Sequence, residues 1–185
     1  MVLGRTHQVT SLCLGEGATL ALMSWAHLPA NLLGADLVVC GFFGTWWGSL
    51  LPDIDSSNSL ITQTFGQGGK MISHWLSHRG LTHTLWAWLL TALPLYLLRS
   101  WMLDNIWWQK CGWMLLAGIC FGYLCHLIED SFSIAGINWL YPVHKINPRK
   151  RRHRYKTGGK LEACWRVAMF TGVVALSILL GSRWI

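Results

Sequence analysis

Five apolar stretches, at about 9–28, 32–51, 84–101, 111–130 and 164–182, alternate with polar segments along the chain. Each approaches the roughly 20 residues a helix needs to cross bilayer hydrocarbon. The pattern predicts an all-α, polytopic integral membrane bundle of about five transmembrane helices with short interfacial helices, forming a single membrane domain over 1–185. The first two stretches are joined by a short turn around Pro29, Ala30 and Asn31, and the third contains Pro94, which a membrane helix accommodates as a kink. Trp46, Trp47, Trp101, Trp107, Trp108, Trp113 and Trp165 fall near the ends of these stretches, as an aromatic belt would. The apolar start, interrupted by Glu16 and glycines, reads as a retained first span rather than a cleaved leader. Two segments do not span. Residues 52–83 are rich in Pro, Asp, Ser, Asn and Gly and include a short amphipathic piece from about Gly69 to His78, while 143–163 form a basic loop.

Composition narrows the class. Hydrophobic residues make up 52% of 185, Asp, Glu, Lys and Arg only 12%, and there are 13 Trp. A soluble domain of this size could not hide that apolar surface, and disordered, collagen-like and acidic-tail classes are excluded on the same grounds. Charge adds an orientation. The net charge is +7, with Arg149, Lys150, Arg151, Arg152, Arg154 and Lys156 inside eight positions. If that run is cytoplasmic, five spans place twelve Lys and Arg on its side and three (Arg99, Lys110, Arg183) on the other. This positive-inside bias predicts a cytoplasmic N-terminus in a bacterial inner membrane, with 52–83 on the cytoplasmic side. The run reads first as a topology signal. It is also a surface for anionic lipid or a protein partner at 149–156; nucleic acid is not expected. The six Cys lie in or beside apolar stretches with no CxxC pair, and read as small buried residues without a disulfide framework or thiolate site.

Polar groups are scarce, so their clustering is informative. His7 precedes the first span, Asp53 and Asp55 follow the second, His78 and His83 precede the third, and His126 and Asp130 end the fourth. The predicted topology brings all seven to the cytoplasmic interface. His126 and Asp130, four residues apart, share a helix face and can grip one ion. Pro52 ends the second span, and an extended segment after it would point Asp53 and Asp55 the same way. Gly80 permits a tight turn between His78 and His83. Imidazole with carboxylate suits Zn²⁺ above all, with Mn²⁺ or Fe²⁺ as alternatives, and the number of ligands fits one or two ions. Asp55 is a bridging or supporting carboxylate, and Arg79 can hold a phosphoryl oxygen. Glu129, about 100° around the helix from Asp130, reads as turned away from the ions, with a supporting or general-base role as the alternative. His27, His74, His144 and His153 read as interfacial or solvated, and Asp36 as a helix-end contact.

Three blocks also carry a family resemblance: Leu-Leu-Pro-Asp-Ile-Asp-Ser-Ser-Asn-Ser at 50–59, His-Arg-Gly-Leu-Thr-His-Thr-Leu at 78–85, and Gly-Tyr-Leu-Cys-His-Leu-Ile-Glu-Asp at 122–130. In this order they resemble the YdjM-like, LexA-binding, inner-membrane-associated metal-dependent hydrolases. The resemblance implies a metal site at His7, Asp53, His78, His83, His126 and Asp130. Where family members often carry His-Pro after Asp-x-Asp, this chain has Ser56-Ser57, and where they carry Thr-Pro after the acidic pair it has Ser133-Ile134. The His-x-x-x-Asp element is similar to that of zinc-dependent phospholipase C, which points by analogy to phosphoesters.

The expectation from residues and resemblance together is a membrane-bound metal-dependent hydrolase. It would cleave a phosphoester of a phospholipid or lipid-linked substrate at the cytoplasmic leaflet by metal-activated water, with Arg79, Asp55 and Glu129 as catalytic candidates. The alternative is a non-catalytic protein whose metal staples the spans and whose basic loop docks a partner. A transporter is disfavoured because such sites lie near the midplane, not at one interface.

Overall fold

A computed structural model describes residues 4–25, 34–76, 80–101, 106–134, 136–143 and 156–184. The elements are α1 (Gly4–Trp25), α2 (Ala35–Gly48), a 3-10 turn (Leu51–Asp55), α3 (Leu60–Thr64), α4 (Gly66–Trp75), a second 3-10 turn (Leu81–His83), α5 (Leu85–Trp101), α6 (Ile106–Phe132) and α7 (Lys160–Gly181). The protein is all-helical, with no strand among the described residues. Each predicted apolar stretch is the body of one long helix. Three stretches, Ala35–Asp55, Gln109–Phe132 and Lys160–Gly181, are long and apolar enough to cross a membrane. The other two helices fall short for different reasons. α1 has the length, 22 residues, but carries Arg5, Glu16 and several Thr and Ser. α5 is apolar, but its 17 residues extend only about 25 Å.

Burial is inverted relative to a water-soluble domain. The most deeply buried side chains include His7, His83, His126, Asp53, Asp130, Thr6, Thr62 and Thr84, joined by few large apolar residues such as Ile61 and Leu127. Leu22, Leu90, Val167, Phe170 and Ile178 meanwhile face outward. Polar inside and apolar outside is the arrangement of helices whose solvent is lipid.

Helix directions follow from which residues meet. α2 and α6 run parallel, Gly41 lying against Met114, Gly48 against Ile119 and Ser49 against His126. α1 is antiparallel to both, with Gly15 facing Thr45 and Phe121, and His7 facing Glu129. α5 is antiparallel to α6, tied by Tyr123 Oη donating to the Thr82 carbonyl and Trp88 Nε1 to the Cys120 carbonyl. α7 is parallel to α1, through Thr6 with Glu162, Thr10 with Trp165 and Glu16 with Ser177. The starts of α1, α5 and α7 therefore gather with the ends of α2 and α6.

The α2–α6 contact is unusually close. A Cβ on Gly44 or Gly48 would collide with the carbonyl of Leu115 or Ile119, and one on Gly118 or Gly122 with that of Gly41 or Thr45. Two glycines at four-residue spacing on each helix let the backbones touch, the small-residue packing favoured in lipid. At the far end of this pair Cys40 and Cys111 form a disulfide, which corrects the expectation that no cysteine is paired. Cys13, Cys120, Cys125 and Cys164 are free thiols.

α4 bears out the short amphipathic piece. It buries Gly69 and Ser73 and exposes Met71, Ile72 and Trp75 together with Lys70. Gly66, at φ 57°, takes the left-handed conformation that lets the chain reverse between α3 and α4.

Candidate metal centre

The site forms where the helix ends gather. α2 passes directly into the 3-10 turn with Pro52 near its start. At three residues per turn, positions i and i+2 lie about 240° apart, not on one side as in an extended segment. Asp53 and Asp55 therefore do not run parallel as an extended segment would place them; they reach the two nitrogens of one ring, His83, with an oxygen of each still within 4.8 Å of the other. Asp53 turns toward His126 and Asp55 toward the outer edge of His83. Thr84 begins α5, its Oγ1 accepting from the Ala87 N–H, and holds His83 just before the helix. His126 and Asp130 share a face of α6 as their spacing predicts. Ser133 closes that helix by donating to the Asp130 carbonyl.

His83 Nε2 and His126 Nε2 are 3.3 Å apart. Asp53 Oδ1 is 3.7 Å from the first and 3.6 Å from the second, and Asp130 Oδ2 is 3.5 and 4.0 Å from them. A cation with bonds of 2.0–2.2 Å has tetrahedral ligand–ligand edges of about 3.3–3.6 Å. His7 Nε2 lies 3.7 Å from Asp130 Oδ1, and its ring stacks on His126 with centroids 3.7 Å apart. Three overlapping sets could each hold an ion: His7–Asp53–His126, His83–His126–Asp130 and Asp53–Asp55–His83.

The residues fit a cation on a further ground. Both oxygens of Asp53 and the Nε2 of His7 are buried without a hydrogen-bond partner among the described residues. Burying such groups unpaired is costly, and a divalent ion would satisfy them together. The outer contacts serve the same end. His126 Nδ1 donates to the Ser49 carbonyl at 2.7 Å, leaving the Nε2 lone pair for the centre. His83 Nδ1 lies 3.1 Å from Asp55 Oδ2, which also accepts from Thr82 Oγ1 at 2.7 Å. Burial alone would lower the pKa of His83, but the carboxylates of Asp53, Asp55 and Asp130 reverse this and raise it to about 9. A cation entering the centre takes the place of that proton.

Most of the anticipated residues meet here. His7, Asp53, His83, His126 and Asp130 converge, and Asp55 backs His83. Glu129 does not turn away; its Oε2 lies 3.1 Å from His7 Nδ1. His78 and Arg79, and the basic run at 149–155, lie outside the described residues. His74 is exposed on α4, and Asp36 sits in the first turn of α2. Reading the sequence missed Ser49, Thr82, Tyr123 and the Thr6–Glu162 pair. Tyr123 had a signal, since it precedes His126 by three residues and shares its helix face. Ser49 acts through its carbonyl, which no side-chain pattern reveals.

Over residues 1–184 the chain matches the family described as YdjM inner membrane protein. It belongs to that family. It is 32% identical over 111 residues to Inner membrane protein YdjM of Escherichia coli K12, covering 54% of this chain and 52% of that protein. The Shigella flexneri protein of the same name matches equally, and Uncharacterized protein YvsG of Bacillus subtilis is 30% identical over 95 residues, 51% of this chain and 52% of its own length. The chain thus spans about half the length of the curated relatives it matches. No solved structure matches it.

Proposed function

We propose that this YdjM family member is a metal-dependent hydrolase of the bacterial inner membrane, acting on a phosphoester of a phospholipid or lipid-linked substrate at the cytoplasmic leaflet. The observation that carries the reading is the convergence of buried imidazole and carboxylate atoms at ligand spacing. Asp53, His83, His126 and Asp130 would hold one divalent ion, and His7 with the other oxygen of Asp130 a second. The absence of cysteine from the set favours catalysis, since structural zinc is usually held by thiolates. When bound, such an ion polarises a phosphoryl oxygen and makes water acidic enough to ionise near neutral pH. The protein's residues do the rest. Asp55 holds the His83 ring, Ser49 fixes the His126 tautomer, and Glu129 Oε2 can exchange a proton with His7 Nδ1. Arg79, one residue before Gly80, is the candidate anion clamp. The five-span, cytoplasmic-N-terminus topology belongs to the same reading, because it puts the centre at headgroup level.

The complete burial of His7, His83, His126 and Asp130 favours a second reading. In it the ion is a staple joining α1, α2, α6 and the 81–83 turn, and the basic loop docks a partner. Elemental analysis and phospholipid turnover on purified protein separate the two. For the hydrolase, a chelator abolishes turnover while the protein stays folded, and Asp53→Ala or His126→Ala loses both metal and activity. Unfolding on chelation, with no turnover in the loaded protein, establishes the staple. Metal content unchanged in both variants refutes the centre.

A further inference from the structure

α1 presents a second chemical face, turned away from His7. Arg5, Gln8, Val9 and Leu12 follow the i, i+3, i+4, i+7 spacing of one helix side. They line a cleft of about 440 Å³ completed by Trp46 of α2 and by Arg166, Val167 and Phe170 of α7. That volume lies within the roughly 300–1,000 Å³ of small-molecule sites. Because α1 and α7 run parallel, Arg5 in the first turn of one and Arg166 in the second turn of the other belong to the same end of the bundle. The apolar residues follow each arginine toward the bundle's middle. The cleft is thus cationic at its mouth and apolar along its length.

Its polar groups have no other evident task. Neither guanidinium has an ion pair or hydrogen bond with another described residue. Gln8 is only 8% exposed, yet its amide makes no hydrogen bond among the described residues and lines the cleft. Glu162, one turn before Arg166, accepts from Thr6 Oγ1 and the Gly158 N–H. On the open side, Val167 and Phe170 are more than half exposed, so the cleft opens sideways onto the surface the helices present to lipid.

We propose that this cleft binds one anionic phospholipid, its phosphate between Arg5 and Arg166, a headgroup oxygen on the Gln8 amide, and one acyl chain along Leu12, Val167 and Phe170. Two guanidiniums without an ion pair among the described residues call for net negative charge, which a zwitterionic lipid lacks. The apolar walls give a free phosphate nothing. The site lies on the side of α1 opposite the metal-type ligands and stands whether or not the metal centre is catalytic.

The test uses the full chain in detergent, read by native mass spectrometry and thermal unfolding. Phosphatidylglycerol is compared with phosphatidylcholine of the same acyl chains. The wild type is expected to bind phosphatidylglycerol about tenfold or more tighter, the scale set by two basic residues near an anionic headgroup. Arg5→Gln with Arg166→Gln removes that preference, and Arg5→Lys with Arg166→Lys keeps most of it. Phe170→Ala weakens both lipids together. Metal content stays at the wild-type level throughout, which keeps the result separate from that of the metal centre. Equal wild-type affinity for the two lipids overturns the proposal even if the glutamine variant fails to fold. So does a preference that survives in that variant, or glycerol phosphate competing as strongly as phosphatidylglycerol.

Discussion

His83 shows how much of this site depends on a single ring. One nitrogen faces Asp53, His126 and Asp130, and the other lies against Asp55, which is itself held by Thr82. Removing Asp55 leaves the ligands present but the ring unheld. Partners of this kind typically contribute 10- to 100-fold to metal affinity. Asp55→Ala is therefore expected to weaken zinc binding by about that factor in a competition titration, and Thr82→Val less. Asp53→Ala removes a ligand outright and should lose the ion at micromolar zinc. Affinity in Asp55→Ala equal to wild type would show that Asp55 does not orient His83. At this scale the sequence was highly legible, because every ionisable group near a membrane is conspicuous against apolar neighbours. The direction of Asp55 was not, because an i, i+2 pair shares a side in a strand and separates in a 3-10 turn. Nothing in Leu-Pro-Asp-Ile-Asp itself decides between the two.

Between elements, the decisive contact is the glycine seam of α2 and α6. It sets how near His126 comes to the Ser49 carbonyl, and so how the centre closes. Gly48→Ala places a methyl against the Ile119 backbone, where no side chain can give way. The helices must separate, at a cost of about 1–3 kcal/mol typical of overpacking, and metal affinity should fall with stability. Gly112→Ala is the control. It lies on the same helix α6 with no atom within 4 Å of an added Cβ, and should be neutral or stabilising by up to about 1 kcal/mol. Thermal unfolding in detergent with metal analysis measures both, and equal effects of the two substitutions would exclude the seam as a determinant. Hydropathy located the helices because period and length survive any packing. It could not pair them: the glycine spacing that selects α6 as the partner of α2 is a matter of backbone approach, which average hydrophobicity does not register. The Cys40–Cys111 bond escaped notice for the same reason, its partners being 71 residues apart on helices not yet known to be neighbours.

For the whole molecule the question is which way the bundle faces. α1, α5 and α7 run one way and α2 and α6 the other, so the metal-type ligands occupy one end. The disulfide sits about 20 Å along α2 and α6 from them, at 13 residues before Asp53 and 15 before His126. Disulfides persist in the periplasm and are rare in the cytosol, whereas Lys and Arg are retained on the cytoplasmic side. These two rules draw on unrelated features of the chain and favour the orientation proposed above, which would put the centre and the arginine cleft inside and the disulfide outside. A reporter enzyme active only in the periplasm should therefore work when fused after residue 30 or 104 and fail after residue 60 or 156. Activity at 60 or 156 would place the centre on the outer face and remove the cytoplasmic leaflet as its source of substrate. Silence at residue 104 would mean that α5, with only 17 residues, does not cross; α6 would then cross in the opposite sense to α2, against the parallel pairing that builds the centre.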